Sequence, residues 1–181
     1  MRKIIIRIIV LALCVALIAA TIVAGGFYGR LTDCKGRFAQ SVEKWCEHYG
    51  VEKELVYAVI YAESGGDVSA VSRAGAIGVM QLMPDTARWL AEREKLEYSV
   101  AMLTDPDSNI RFGCTLLVYL QTRFDSLESV LAAYNAGPLN VDKWLADPRY
   151  SKDGVLTAIP YPETEGYVKK VCFLKKIYKI I

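Results

Sequence analysis

The chain has 181 residues, room for one domain of about 150 residues once an apolar N-terminal segment is set aside. Its net charge of +2 is uneven: Arg2, Lys3, Arg7 and Arg30 are the only charges before residue 31, and beyond them eighteen basic side chains face twenty acidic ones. That balance carries no basic surplus for nucleic acid, and the single histidine, His48, leaves too few ligands for a zinc centre or a histidine-based triad.

The first element is the apolar segment. From Ile8 to Phe27 no residue is charged, which as helix amounts to about 30 Å, one hydrocarbon core. The flank Arg2, Lys3 and Arg7 directs the N-terminus to the cytoplasm and the bulk of the chain outside. A cleaved signal peptide is the rival reading. Its best cleavage position, before Gly25, places the bulky Ile22 where a small residue is wanted, and Leu13 before Cys14 does not suit lipid attachment. The sequence therefore favours an uncleaved transmembrane helix over residues 1–30, a short polar linker at 31–36 and a domain at 37–181; cleavage instead gives a secreted protein.

Beyond the linker, periodicity is helical. Helices are expected over about 37–49, stopped by Gly50, and over about 52–64, stopped by Ser64-Gly65-Gly66-Asp67. Residues 68–83 have no period and read as loop. Pro84-Asp85 opens a helix to about 96, Asp105-Pro106-Asp107 one to about 123, and Ser126 caps one ending near Gly137-Pro138. A short helix covers about 139–145, residues 147–162 read as loop, and a last helix runs over about 163–178. The fold class is mostly α. Cys34, Cys46, Cys114 and Cys172 permit three pairings in an oxidising compartment, although the helical positions of the last three favour buried thiols. The basic and apolar tail at 169–181 suits an anionic surface, but more simply packs its apolar side on the domain.

Glu63 stands out. Val56, Val59, Ile60 and Glu63 fall at i, i+3, i+4 and i+7, so a carboxyl continues a core-facing stripe. Burial and the negative end of the helix dipole both disfavour its charged form, and a carboxyl protonated near neutrality can serve as a general acid. No second carboxylate is obviously placed to activate water, although Asp67 and Glu163 are candidates.

Three strings follow in order: Glu63-Ser64, then Gly75-Ala76-Ile77-Gly78-Val79-Met80-Gln81-Leu82-Met83-Pro84, then Ala132-Ala133-Tyr134-Asn135-Ala136-Gly137. With Asn109-Ile110 and Gly113, and with Ile159-Pro160, Glu163-Thr164 and Tyr167-Val168, they make the chain resemble the soluble lytic transglycosylase family, the lysozyme-like enzymes of glycoside hydrolase family 23. The likeness spans about two-thirds of the chain. Two departures stand out: Gly66-Asp67 where family members often carry an aromatic and an asparagine, and Val79 where the family often has leucine.

The resemblance implies a lysozyme-like helical domain behind the membrane helix, acting on peptidoglycan glycan strands. It implies Glu63 as acid/base, and Ser72, Gln81, Met83, Tyr134, Asn135 and Glu163 as substrate-binding residues. In that family the C6 hydroxyl of MurNAc attacks its own C1, giving a 1,6-anhydro end without water, metal or other cofactor. One carboxyl then suffices. The alternatives are a hydrolytic muramidase, which needs a positioned water, and a silent wall-binding or scaffold module in which Glu63 does no chemistry.

Overall fold

A computed structural model describes residues 2–181, with side chains from residue 13 onward except those at 16 and 20. Its first helix, α1 (Arg2–Tyr49), is unbroken. The polar linker expected at 31–36 is therefore helix. Leu31, Cys34, Phe38, Val42 and Cys46 recur every three or four residues and are all buried, whereas Asp33, Gly36 and Arg37 lie on the outer side. The polar composition of the segment masked that stripe. Upstream, the side chains of Leu13, Leu17, Ile22 and Val23 are exposed, in a stretch long and apolar enough to cross a membrane and not buried in the domain. The side chains of the basic flank lie outside the described residues.

After Gly50, α2 (Lys53–Glu63) folds back against α1. Six consecutive residues, Leu55 to Ile60, are buried because α1 and α7 cover it from different sides. The long loop from 64 to 83 leads to α3 (Pro84–Arg93), a 3-10 turn (Val100–Leu103), α4 (Pro106–Arg123), α5 (Leu127–Ala136), α6 (Pro138–Leu145) and α7 (Pro162–Tyr178). Four of these helices begin on proline, where its missing N–H is no loss. Asp105 and Ser126 cap α4 and α5 by accepting hydrogen bonds from the amides of Ser108 (2.9 Å) and Ser129 (3.1 Å).

The stretch expected as plain loop at 147–162 contains a minimal antiparallel hairpin, β1 (Ser151–Lys152) with β2 (Val155–Leu156). Its turn, Asp153-Gly154, has positive φ at both residues, the pattern that Asp-Gly favours in two-residue hairpins. The main core joins α1, α2, α4, α5, α6 and α7. A smaller cluster of Leu82, Ala87, Leu90, Leu103 and Phe112 forms beneath α3 and the 3-10 turn. Glu94 ties them together, accepting hydrogen bonds from Tyr49 and Thr115 and pairing with Arg111 at 2.7 Å. All the cysteines are free thiols in the structure. Cys46 and Cys114 meet between α1 and α4, and Cys34 lies beside Tyr178.

Candidate active site

Glu63 is the last residue of α2, so its side chain emerges where the helix gives way to the loop. The turn is fastened at once: the Ser64 hydroxyl donates to the Val79 carbonyl at 2.9 Å and accepts from the Gly66 amide at 3.1 Å. Lys170 on α7 donates to the Ala62 carbonyl at 2.8 Å, answering the bare carbonyls of the helix end.

The loop opposite is built from directional bonds more than from apolar burial. Fully buried Asn109, on α4, accepts from the Met80 amide at 2.8 Å and donates to the carbonyls of Ile77 (3.0 Å) and Leu103 (2.9 Å). Gly78, at φ +82°, passes so close to this knot that a Cβ there would meet the Leu103 carbonyl oxygen at 2.1 Å. Gly113, one turn further along α4, leaves room for the Met80 thioether. Gln81 adopts φ 48°, and its side-chain amide donates to the carbonyls of Ala70 (3.0 Å) and Gly78 (2.8 Å). Ser72 closes a smaller turn, its hydroxyl accepting from the Ala76 amide at 3.0 Å.

Two more elements complete the enclosure. Tyr134, near the end of α5, donates to the Met80 carbonyl at 2.8 Å and so joins α5 to the loop. Its neighbour Asn135 accepts from the buried Thr164 hydroxyl at 2.8 Å, which fixes the first turn of α7 and with it the exposed Glu163. Glu63, Ser72, Gln81, Met83, Tyr134, Asn135 and Glu163, the seven residues singled out from sequence, all line one cavity of about 490 Å³, together with Arg73. An adjoining cavity of about 480 Å³ shares Met83, Tyr134 and Asn135 and adds Trp89, Leu116, Tyr119 and Pro138. Polar groups thus cluster around Glu63, and an apolar, aromatic trough continues from them.

Burial pushes the Glu63 pKa from an ordinary 4.5 up to about 7. The hydroxyl of Tyr167 and the ammonium of Lys170 offset part of the rise. Tyr167 is buried with its hydroxyl beside this carboxyl, yet that hydroxyl completes no hydrogen bond of normal geometry. Burial first, and then proximity to Glu63, raise the phenol pKa, so Tyr167 stays protonated and available as a donor. Sequence reading gave no role to Asn109, Tyr167, Thr164 or Arg73. The first three lie in strings that were noticed, but only the fold aims them at the loop, at Glu63 and at Asn135. No group of three His, Cys, Asp or Glu side chains suited to a metal occurs among the described residues.

Residues 40–155 match the Transglycosylase SLT domain family. The chain belongs to that family. Over 166 residues it is 33% identical to the soluble lytic murein transglycosylase of Escherichia coli (strain K12), covering 87% of this chain and 25% of that one. Over 132 residues it is 27% identical to membrane-bound lytic murein transglycosylase E of Buchnera aphidicola, covering 67% of this chain and 60% of that one. Among solved structures, an inactive glutamate-to-glutamine mutant of lytic transglycosylase Slt from Pseudomonas aeruginosa superposes with a TM-score of 0.70 at 33% identity, over 77% of this chain and 23% of that one. The chain spans about a quarter of the length of the first curated relatives it matches. Of the residues named as lining the first cavity, all but Glu163 fall within the matched residues 40–155.

Proposed function

We propose that the chain is a peptidoglycan lytic transglycosylase that cleaves the MurNAc–GlcNAc β-1,4 bond, with Glu63 as its general acid and then its general base. The carrying observation is a half-buried carboxyl with a pKa pushed up to about 7, opening into a cavity large enough for a sugar. Membership of the SLT family supports the substrate class, and the inactive glutamate-to-glutamine relative supports the use of a carboxyl.

In this reading protonated Glu63 gives its proton to the glycosidic oxygen as the C1–O bond breaks, and the GlcNAc hydroxyl leaves. The C6 hydroxyl of MurNAc then bonds to C1 and surrenders its proton to the Glu63 carboxylate. The acid is thereby regenerated, water is not consumed, and no cofactor is called for. Gln81, Met83 and Tyr134 border the sugars on the loop side, Ser72 and Asn135 contribute polar edges, and Glu163 faces the cavity from α7. The Tyr167 hydroxyl steadies the carboxylate formed midway.

Residues 8–27 serve as a single membrane span, with the domain on the outer, wall-facing side. The membrane-bound relative and the exposed apolar half of α1 support the span, and the basic flank of Arg2, Lys3 and Arg7 supports the outward side. Residues 1–30 are then anchor and 37–181 catalytic body, joined through helix at 31–36.

The deciding experiment digests purified peptidoglycan with the full chain in detergent, alongside Glu63→Gln, and identifies the fragments by mass spectrometry. Fragments ending in 1,6-anhydro sugars, lighter by one water and absent with the variant, are expected. Reducing MurNAc ends overturn the lyase reading in favour of a muramidase, with Glu163 the first candidate for activating water. No fragments from folded wild-type protein overturn the enzymatic reading in favour of a binding module.

A further inference from the structure

The anchor and the cleft are closer than two domains joined by a linker would be. Phe27, the last apolar residue of the span, packs edge-on against Tyr61 with ring centroids 6.0 Å apart. Tyr61 lies two residues before Glu63 on α2, about 3 Å along the helix axis. Just past Glu63, the Gly66 carbonyl accepts from the Arg37 guanidinium at 2.9 Å. The segment carrying Glu63 therefore runs beside residues 27–37 of α1, from the last residue of the span through the first turns beyond it.

Helix α7 crosses the same turns. The Tyr178 hydroxyl reaches the Leu31 carbonyl at 3.4 Å, Lys35 donates to the Ile181 carbonyl at 2.6 Å, and Lys170 holds Ala62. Eight residues, about 12 Å of helix, separate Phe27 from Lys35, against a headgroup layer of about 5–8 Å per leaflet. As the sequence suggested, α7 buries its apolar side, Val168, Val171, Leu174 and Tyr178, on the domain. The open side is also patterned. Lys169, Phe173 and Lys176 fall at i, i+4 and i+7 and are exposed, Phe173 by 58%, and Ile180, two residues past the end of α7, is exposed by 83%. On α1, Tyr28, exposed by 48%, and Arg30 are also open to solvent, in the turn before the Leu31 carbonyl that Tyr178 reaches.

The α7 face carries more basic than acidic side chains. Three nearby carboxylates are engaged, Asp33 with Arg37 (3.6 Å), Glu52 with Lys175 (2.9 Å) and Glu165 with Lys169 (2.6 Å), while Glu128, close to Cys172 on α7, makes no ion pair among the described residues. Among the described residues Arg30 and Lys176 meet no carboxylate. Lysines alternating with large apolar side chains, beside the exit of a span, are the chemistry of a helix seated in anionic headgroups.

We propose that the open stripe of α7 rests on the anionic surface of the bilayer that residues 8–27 enter, holding the Glu63 cleft at the membrane face. The substrate is then glycan lying next to the membrane, and strands in outer wall layers are out of reach. The inference rests on the membrane-span and glycan-cleavage readings. The unbroken helix makes the placement rigid, since α1 has no flexible linker through which the domain could swing away.

The test reconstitutes the full chain in phosphatidylglycerol vesicles carrying brominated acyl chains and measures tryptophan quenching. Phe173→Trp is compared with Leu139→Trp, an exposed position on α6, after subtracting the signal of native Trp45, Trp89 and Trp144. Quenching of Phe173→Trp about twofold stronger than that of Leu139→Trp is expected, falling to the Leu139→Trp level when Lys176→Glu and Lys179→Glu are added. Equal quenching of the two single variants overturns the proposal, as does extraction of the chain from vesicles by alkaline carbonate. Isolated peptidoglycan digested by the same samples separates the two readings. Anhydro fragments with equal quenching overturn the membrane seating alone. Strong quenching without fragments upholds the seating and removes the enzymatic reading.

Discussion

The two walls of the cleft are made differently. Glu63 stands at the end of a helix whose position is set by apolar packing: Leu55 to Ile60 are buried between α1 and α7. The facing loop buries only a few large side chains, chiefly Val79, Met80 and Leu82, and takes its shape from Asn109, Ser64, Tyr134 and the glycine at 78. Packing is non-directional and tolerates repacking, whereas hydrogen bonds fix position and leave costly unpaired groups when one partner is lost. Damage to the first wall should therefore appear as lost stability, and damage to the second as lost geometry at the site.

The largest expected effect belongs to the one residue where both walls meet. Glu63→Gln keeps the shape of the side chain and should lower peptidoglycan cleavage by roughly 10²–10⁴-fold. It should also stabilise the fold, in a pH-dependent way. The folded pKa of about 7 lies above the ordinary 4.5, so the folded state holds its proton more tightly than the unfolded chain. Below 4.5 the carboxyl is neutral in both states and costs nothing. As pH rises from 4.5 to 7 the unfolded chain ionises first and wild-type stability falls, by about 3 kcal/mol in total at ~1.4 kcal/mol per unit. Thermal unfolding of the two proteins should coincide near pH 4 and diverge by pH 8, with the glutamine variant the more stable. Equal divergence at both pH values would show that Glu63 is solvated, and the buried-acid account would fail.

The contrast between walls is sharpened by two truncations on the same helix. Asn109→Ala leaves the Met80 amide and the Ile77 and Leu103 carbonyls without that partner. A loss of about 3 kcal/mol is expected from urea unfolding, and roughly 10²-fold in cleavage rate even where the protein is fully folded, because the loop drifts. Leu117→Ala, also fully buried on α4, opens a cavity in the main core and should cost about 2–5 kcal/mol. Its activity per folded molecule should stay within about twofold of wild type, since its packing is repairable without moving the loop. Should Leu117→Ala slow folded enzyme as much as Asn109→Ala, the two walls would not be mechanically separate.

Legibility followed the same division. The apolar stripes of α2, α4, α5 and α7 were readable because burial imposes a 3.6-residue period, and Glu63 was conspicuous as a carboxyl continuing one. The continuation of α1 through 31–36 was hidden, because Leu31 and Cys34 are only two apolar letters among charges and glycine. The hairpin at 151–156 was missed for another reason: two-residue strands have no period, and only Asp153-Gly154 marks the turn. Within the site, the family strings pointed to residues that line the cavity, while the residues holding them in place carried no local signal. Asn109 reads as an ordinary polar residue in a helix, and its three partners are 6 to 32 positions away in sequence.

Tyr167 offers the finest test of how these elements cooperate. Its hydroxyl is buried beside Glu63 without a partner of normal geometry and stabilises the carboxylate form. Tyr167→Phe keeps the ring packed on α7 and deletes only that oxygen. The Glu63 pKa should then climb further, moving the alkaline limb of the pH–rate profile upward by about half a unit, with a rate change of only a few-fold at its optimum. Stability should hold or rise slightly, since an unsatisfied buried hydroxyl is removed. A residue that merely filled space would leave the limb where it was. A limb that moves while the fold does not would make Tyr167 a tuner of the acid, contributed by α7 to a carboxyl on α2.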